Sequence, residues 1–215
     1  MSLKDAVLGT PFVYNLVRPL VVGGIDMAPV LTPLATVPGD TVVDVGCGTG
    51  VALDHLGPFE RYVGFDTDAR ALAAAETRES VRRRRARGER IEFRNAELGR
   101  PEIEKLAPHA VILSGLLHHL DDETCAALFR SLLASPRLRS VVTLDVTFVP
   151  GRLFNNLLTI LDRGQYPRHP AAYAWLAERA GFRVVEGEII PSRPGNDRVQ
   201  YFRMKLSAGA GAPTS

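Results

Sequence analysis

Cysteine is nearly missing from this chain: Cys47 and Cys125 are the only two among its 215 residues. They stand far apart, and neither has a second Cys or a His at ligand spacing. A disulfide framework and a metal site are therefore not expected. Lysine is almost as scarce, since Lys4, Lys105 and Lys205 are the only lysines among 26 basic residues. With 24 acidic residues the net charge is only +2, so no global field draws the chain to nucleic acid or to an anionic membrane. Long apolar runs are absent as well. The stretch from Leu20 to Val37 holds Asp26 and two prolines, which does not suit a membrane span. Lys4 and Asp5 precede an apolar stretch broken by Pro11 and Pro19, which does not read as a secretory leader. A cytoplasmic protein is expected. No repeat of about 20 to 50 residues recurs, so a repeat array is excluded.

What is present is core-forming material. The chain is 46% hydrophobic, enough for one domain with a sheet covered on both faces. Its most informative stretch is Thr41 to Gly50, Thr-Val-Val-Asp-Val-Gly-Cys-Gly-Thr-Gly. Thr41 to Val45 reads as a buried strand. Three of the five residues Gly46 to Gly50 lack a Cβ, so this turn can approach a ligand closely. Val51 to Leu56 then has an apolar pattern that suits a helix packed back on the strand. Strand, glycine turn and helix make the cofactor corner of a doubly wound α/β domain. A nicotinamide or flavin dinucleotide fits poorly, because G-x-G-x-x-G counted from Gly46 would need a glycine where Val51 stands. Asp44 would also oppose a pyrophosphate. No Gly-Lys-Ser/Thr follows, so the turn is not a P-loop.

Further strands are expected at Arg61–Asp66, Ile91–Asn95, Ala110–Leu117, Ser140–Val146, Phe182–Ile190 and Val199–Leu206. Asp66 ends the second strand 22 positions after Asp44. A carboxylate at that place is suited to both hydroxyls of a ribose. Asp68 is expected to cap the helix that begins near Ala69.

The heptad Asp44-Val45-Gly46-Cys47-Gly48-Thr49-Gly50 resembles motif I (acidic-x-G-x-G-x-G) of the class I S-adenosylmethionine-dependent methyltransferases. The resemblance runs over roughly residues 38 to 206. It implies a seven-stranded, mostly parallel, doubly wound sheet with helices on both faces and the last strand antiparallel. It also implies S-adenosylmethionine as cofactor and S-adenosylhomocysteine as product. Carried over residue by residue, Asp44 and Gly46, Cys47, Gly48 and Gly50 would hold the methionine end, and Asp66 with Thr67 the ribose. Asn95-Ala96 would meet the adenine, although the family often has Asp-Ala there. Asn95 departs from that pattern but can still accept from an adenine N–H. Ser114 closes the cofactor set. His118-His119-Leu120 resembles the family's "vlhHl" sequence after the fourth strand. His119, or His118, is the candidate general base, a role needed only if the acceptor carries a proton.

The chain divides on this reading into a helical leader or lid (1–37), the methyltransferase domain (38–206) and a disordered tail (207–215). Thr10-Pro11 is a good helix start, and the helix it opens should lie across the cleft with Tyr14 and Arg18 as substrate candidates. The long link 147–170 contributes Arg163 and Tyr166, with Arg168 beside them. These residues suit an acidic or aromatic acceptor or, equally, an internal ion pair with Asp162. The run Arg82 to Arg85, continued by Arg87 and Arg90, has no interleaved aromatic and reads as a solvated face suited to a helix end. No Asn/Asp-Pro-Pro-Tyr/Phe sequence follows the fourth strand, which disfavours nucleic-acid amine methylation. A small-molecule acceptor, at oxygen, nitrogen or carbon, is the first expectation. A fold that binds the cofactor without using its methyl is the second, and a protein or RNA methyltransferase the third.

Overall fold

The computed structural model describes residues 25–162, 164–193 and 196–209. Tyr14, Arg18 and Arg163 lie outside the described residues. Seven strands form one sheet: β1 (Thr41–Val45), β2 (Arg61–Asp66), β3 (Arg90–Asn95), β4 (Ala110–Ser114), β5 (Ser140–Val146), β6 (Phe182–Arg193) and β7 (Asn196–Ala208). Their order across the sheet is β3-β2-β1-β4-β5-β7-β6. The first five pair in parallel, and β7 runs antiparallel between β5 and β6. The chain builds outward from β1 to β3 and then returns to place β4 on the other side of β1. That reversal is a topological switch point, where open α/β sheets bind ligands outside the carboxyl ends of their strands.

The alternation of side chains along β1 sorts them between two apolar layers. Val43 and Val45 join the cluster with Ile103 and Leu106 of α4 (Arg100–Leu106), Phe129 of α5 (Asp122–Leu132) and Tyr173 of α7 (Pro170–Arg179). Val42 joins the opposite cluster with Leu53, Tyr62 and Val81, and with Val30, Leu31 and Leu34. Every residue of β1 and β5 is buried, as expected of inner strands covered on both faces.

Several boundaries differ from the sequence reading. Of the expected leader, residues 25–37 are described. Val30 and Leu31 of α1 (Ala28–Leu31), with Leu34 in the 3-10 turn that follows, are buried in the second core layer. The segment after the glycine turn is a single 3-10 turn, Val51–Asp54, and not a full helix. Gly57-Pro58 close behind it leave no room to propagate one. The fourth strand stops at Ser114, where Gly115 takes a left-handed φ of 68°. At the other end, Ser207 and Ala208, expected in a disordered tail, are part of β7, paired with Arg183 and Phe182.

In the middle of β2, Gly64 keeps the sheet and the turn in register. A Cβ there would stand 2.7 Å from Cys47 Sγ and 3.0 Å from Phe93 Cδ1. Gly64→Ala is expected to cost about 1–3 kcal/mol by overpacking, read as a lower urea midpoint. An unchanged midpoint would mean that the turn after β1 yields easily.

Candidate functional site

The turn after β1 is tied to the end of β2 through three successive residues. The Gly46 and Cys47 amides both donate to Phe65 O, at 2.8 and 3.0 Å, and the Gly48 amide donates to Asp66 Oδ2 at 2.7 Å. Gly46, Gly48 and Gly50 all have positive φ, which an L side chain adopts only under strain. A Cβ on Gly46 would meet Leu116 Cδ1 at 3.4 Å, so the turn after β1 faces the one after β4 across the switch point. A Cβ on Gly48 would meet nothing within 4 Å. The backbone of Gly48 is thus bare toward open space, as close approach of a ligand requires.

Asp66 is half-buried at the end of β2. Its Oδ1 accepts from the Asp68 amide at 2.8 Å while Oδ2 holds Gly48. Each oxygen still has a lone pair, so the carboxylate is aimed by the backbone and keeps capacity for two hydroxyls. Asp68 caps the helix α2 (Ala69–Glu76) by accepting from the Arg70 and Ala71 amides. Register pairs Asp66 with Asn95 on β3, and Asn95 Nδ2 donates to Asp66 O at 3.0 Å. Oδ1 is then the Asn95 atom suited to accept from an adenine. Thr67, Asn95 and Ala96 are exposed, and Ser114 is half-buried at the end of β4. These residues lie together at the carboxyl ends of β2, β3 and β4.

Asp44 and Cys47 sit deeper. Asp44 is 2% exposed, and its Oδ2 accepts from the Tyr62 hydroxyl at 2.6 Å. Burial pushes its carboxyl up to about 7. The Tyr62 hydrogen bond pulls the other way, and the Asp66 charge adds to the rise. Burial likewise drives the Cys47 thiol far above its usual range and lifts Cys125 to about 12, so neither is a thiolate nucleophile. Both are free thiols.

The histidine pair divides sharply. His118 is 2% exposed, with Nδ1 2.7 Å from Asp145 Oδ1 and Nε2 3.1 Å from Asp162 Oδ1. Burial alone would lower its pKa. The hydrogen bonds and charges of Asp145 and Asp162 outweigh burial and raise it to about 9. At neutral pH His118 therefore holds its proton between two carboxylates. This corrects the expectation that it can serve as a general base. His119 is exposed, its ring 4.1 Å from that of His118.

The link after β5 is built around this pair. Its helix α6 (Leu153–Leu161) buries Asn155 and Thr159, which bond to Thr147 O, while Leu153, Phe154, Leu157 and Ile160 face out. Tyr166 is 40% exposed, and its amide donates to His118 O. Arg168 is not a substrate group. It is 8% exposed and donates to Leu117 O, Leu120 O and Tyr166 O and to Asp122. Its carboxylate partner is thus Asp122 on α5. Gly164 lies against the His118 ring, where a Cβ would fall 2.0 Å from Cδ2. The sequence reading had no place for Asp145 or Gly164. A lone carboxylate inside the apolar strand Ser140–Val146 was the available signal for Asp145, because buried charges are seldom unpaired.

The arginine run is largely spent on acids. Arg82 pairs with Glu79 in α3 (Glu79–Ala86), Arg84 with Glu89, Arg85 with Glu76 and Arg90 with Glu60.

A seven-stranded sheet, parallel but for its last strands, with a glycine turn and Asp66 at its switch point has the architecture of the class I methyltransferase fold. Residues 43–135 match the family model described as a methyltransferase domain. Over that stretch the chain is similar to methyltransferase domains. No curated protein sequence matches it. Solved structures share the fold at low identity. Magnesium protoporphyrin IX methyltransferase (ChlM) from Synechocystis PCC 6803, solved with bound SAH, is 16% identical with a TM-score of 0.59, over 96% of this chain and 83% of that one. The cyclopropane synthase MmaA2 from Mycobacterium tuberculosis is 13% identical with a TM-score of 0.61, over 84% and 82%. A Haloferax volcanii protein solved with the Trm112 methyltransferase activator is 13% identical with a TM-score of 0.65, over 97% and 98%. Among the described residues, no helix is long and apolar enough to cross a membrane.

The Asp44 carboxyl makes stability depend on pH. Its folded pKa of about 7 lies above the ordinary 3.8. Its contribution is therefore complete below the unfolded pKa and is lost as pH rises through the folded one. Relative to Asp44→Asn, the ligand-free wild type is expected to lose on the order of 2 kcal/mol between pH 5 and pH 8. Urea melts at the two pH values measure this, and parallel behaviour of the two proteins would contradict it.

Proposed function

We propose that this chain transfers the methyl group of S-adenosylmethionine to a small-molecule acceptor and releases S-adenosylhomocysteine. The observation that carries the reading is the Asp66 carboxylate, aimed by the Gly48 and Asp68 amides at the switch point and retaining lone pairs for a ribose. When bound, the cofactor supplies an electrophilic methyl on a sulfonium. The turn Gly46 to Gly50, bare at Gly48, receives the methionine end, with Asp44 beneath it. Binding of the methionine ammonium there favours ionised Asp44 by opposite-charge attraction. Asn95 and Ala96 face the adenine, and Ser114 bounds the site from β4.

Methyl transfer from a sulfonium is an in-line displacement, so alignment can provide most of the acceleration; well-oriented reactions reach effective molarities of about 10⁵ to 10⁸ M. The acceptor would sit between the glycine turn and the loop Ser114–His119, with Tyr166 as a flanking aromatic. The outward apolar side chains of α6, whose end reaches His118 through Asp162, suit an acceptor with an apolar body. The acid-paired arginines weigh against RNA as the acceptor, since phosphate binding needs unspent cations. A cytoplasmic setting, in keeping with two free thiols, completes the reading.

Methyl-labelled S-adenosylmethionine, incubated with the protein and a panel of phenols, carboxylic acids and amines, tests it. Label is expected in a small product with one S-adenosylhomocysteine formed per methyl. Asp66→Ala should weaken donor binding by about 1.5 kcal/mol or more, the scale of a charge-assisted hydrogen bond. Label appearing in RNA or protein, or donor binding indifferent to Asp66→Ala, would overturn the proposal.

A further inference from the structure

His118, His119 and Asp162 bring two imidazoles and a carboxylate to one place, with a ligand-type atom from each lying within 4.8 Å of the others. We propose that these three residues bind a divalent transition-metal ion, with Zn²⁺ the best match to an N₂O donor set. The inference does not depend on the methyl-donor reading.

Three features beyond proximity carry it. The first is behind the ligands. Asp145 Oδ1 stands 2.7 Å from His118 Nδ1 and also accepts from the His118 amide at 3.1 Å. A buried carboxylate on one imidazole nitrogen fixes the tautomer and turns the other nitrogen into the ligand, the usual arrangement behind a metal-bound histidine. The second is spacing. His118 Nε2 and Asp162 Oδ1 are 3.1 Å apart. Two donors on one tetrahedral zinc-sized ion, each about 2.0–2.2 Å from it, stand about 3.3 to 3.6 Å from one another, a few tenths of an ångström wider than this pair. The same pair can share a metal once it opens slightly and the carboxylate turns its oxygen off the N–H line, the metal displacing the proton on Nε2. His119 follows in sequence, is exposed, and holds its ring 4.1 Å from that of His118.

The third is the construction of the loop that supplies Asp162. Gly164 donates its amide to Asp162 Oδ1 at 3.1 Å and packs on the His118 ring at a distance only glycine permits. Tyr166 N is bonded to His118 O, and Arg168 spans Leu117 O and Leu120 O. Both ligand segments are therefore clamped together by backbone contacts, so little order remains to be imposed when the ion binds. Two histidines and one carboxylate leave coordination positions open, as catalytic metal sites do. They lie at the carboxyl end of β4, beside the loop assigned above to the acceptor. In this arrangement His119 acts as a ligand and not as a lone general base.

The test uses the untagged full chain, stripped by chelator and dialysed. Zn²⁺ titration by calorimetry should show one site per chain, and Co²⁺ should give the visible absorption of a low-coordinate nitrogen and oxygen site. His119→Ala, a change at an exposed position, and Asp162→Asn should each weaken Zn²⁺ binding tenfold or more while circular dichroism stays native. Mg²⁺ in excess should not compete, since it prefers oxygen ligands. Absence of saturable Zn²⁺ binding, or binding that neither substitution weakens, would overturn the proposal and leave His118 as a buried cation between two carboxylates.

Discussion

The site depends on the attachment of the glycine turn to the end of β2. Two amides share the carbonyl of Phe65, and a third is taken by the Asp66 carboxylate. The turn is thereby fixed before any ligand arrives, and Asp66 is oriented by the same bonds that orient the turn. Preorganisation of this kind removes the ordering cost that binding would otherwise meet. It also explains the tight packing beneath. Gly64 admits Cys47 against β2, and Asp44 bonds to Tyr62 on the neighbouring strand. A change in either layer therefore reaches the cofactor turn.

A second attachment governs the other side of the cleft. His118 sits between Asp145 on β5 and Asp162 at the end of the long link, while Arg168 gathers the carbonyls of the turn after β4. The link is a fitted part of the site, even though it is irregular outside α6. Its helix inverts the usual pattern, with buried Asn155 and Thr159 satisfied by backbone groups and leucines left outside. Burial of polar side chains is tolerable there because each has a hydrogen-bond partner.

Much of this was legible in the residues. Strict spacing of Gly46, Gly48 and Gly50 behind a β-branched run marked the strand and the turn that follows it, because a turn with positive φ can hardly be built otherwise. Strand β2 and its terminal Asp66, the cap at Asp68 and the solvated arginine face followed from local rules of pattern and capping. The remainder depended on distant partners. Nothing near His118 in sequence foretells that Asp145 and Asp162 will close on both its nitrogens, since those contacts are made by folding alone. Arg168 left two readings open, a substrate group or a partner of Asp162; its burial and its pairing with Asp122 are tertiary facts. The burial of Val30, Leu31 and Leu34 was hidden for the same reason, as apolar spacing marks an amphipathic segment without saying which surface covers it.

The central claim is that the switch-point cleft is a site for S-adenosylmethionine. Calorimetric titration of the purified chain with S-adenosylmethionine, S-adenosylhomocysteine and NAD tests it most directly. The account predicts saturable one-to-one binding of the first two and none of NAD, whose pyrophosphate the acidic lead at Asp44 opposes. Failure of both adenosyl ligands to bind, or preference for NAD, would contradict it.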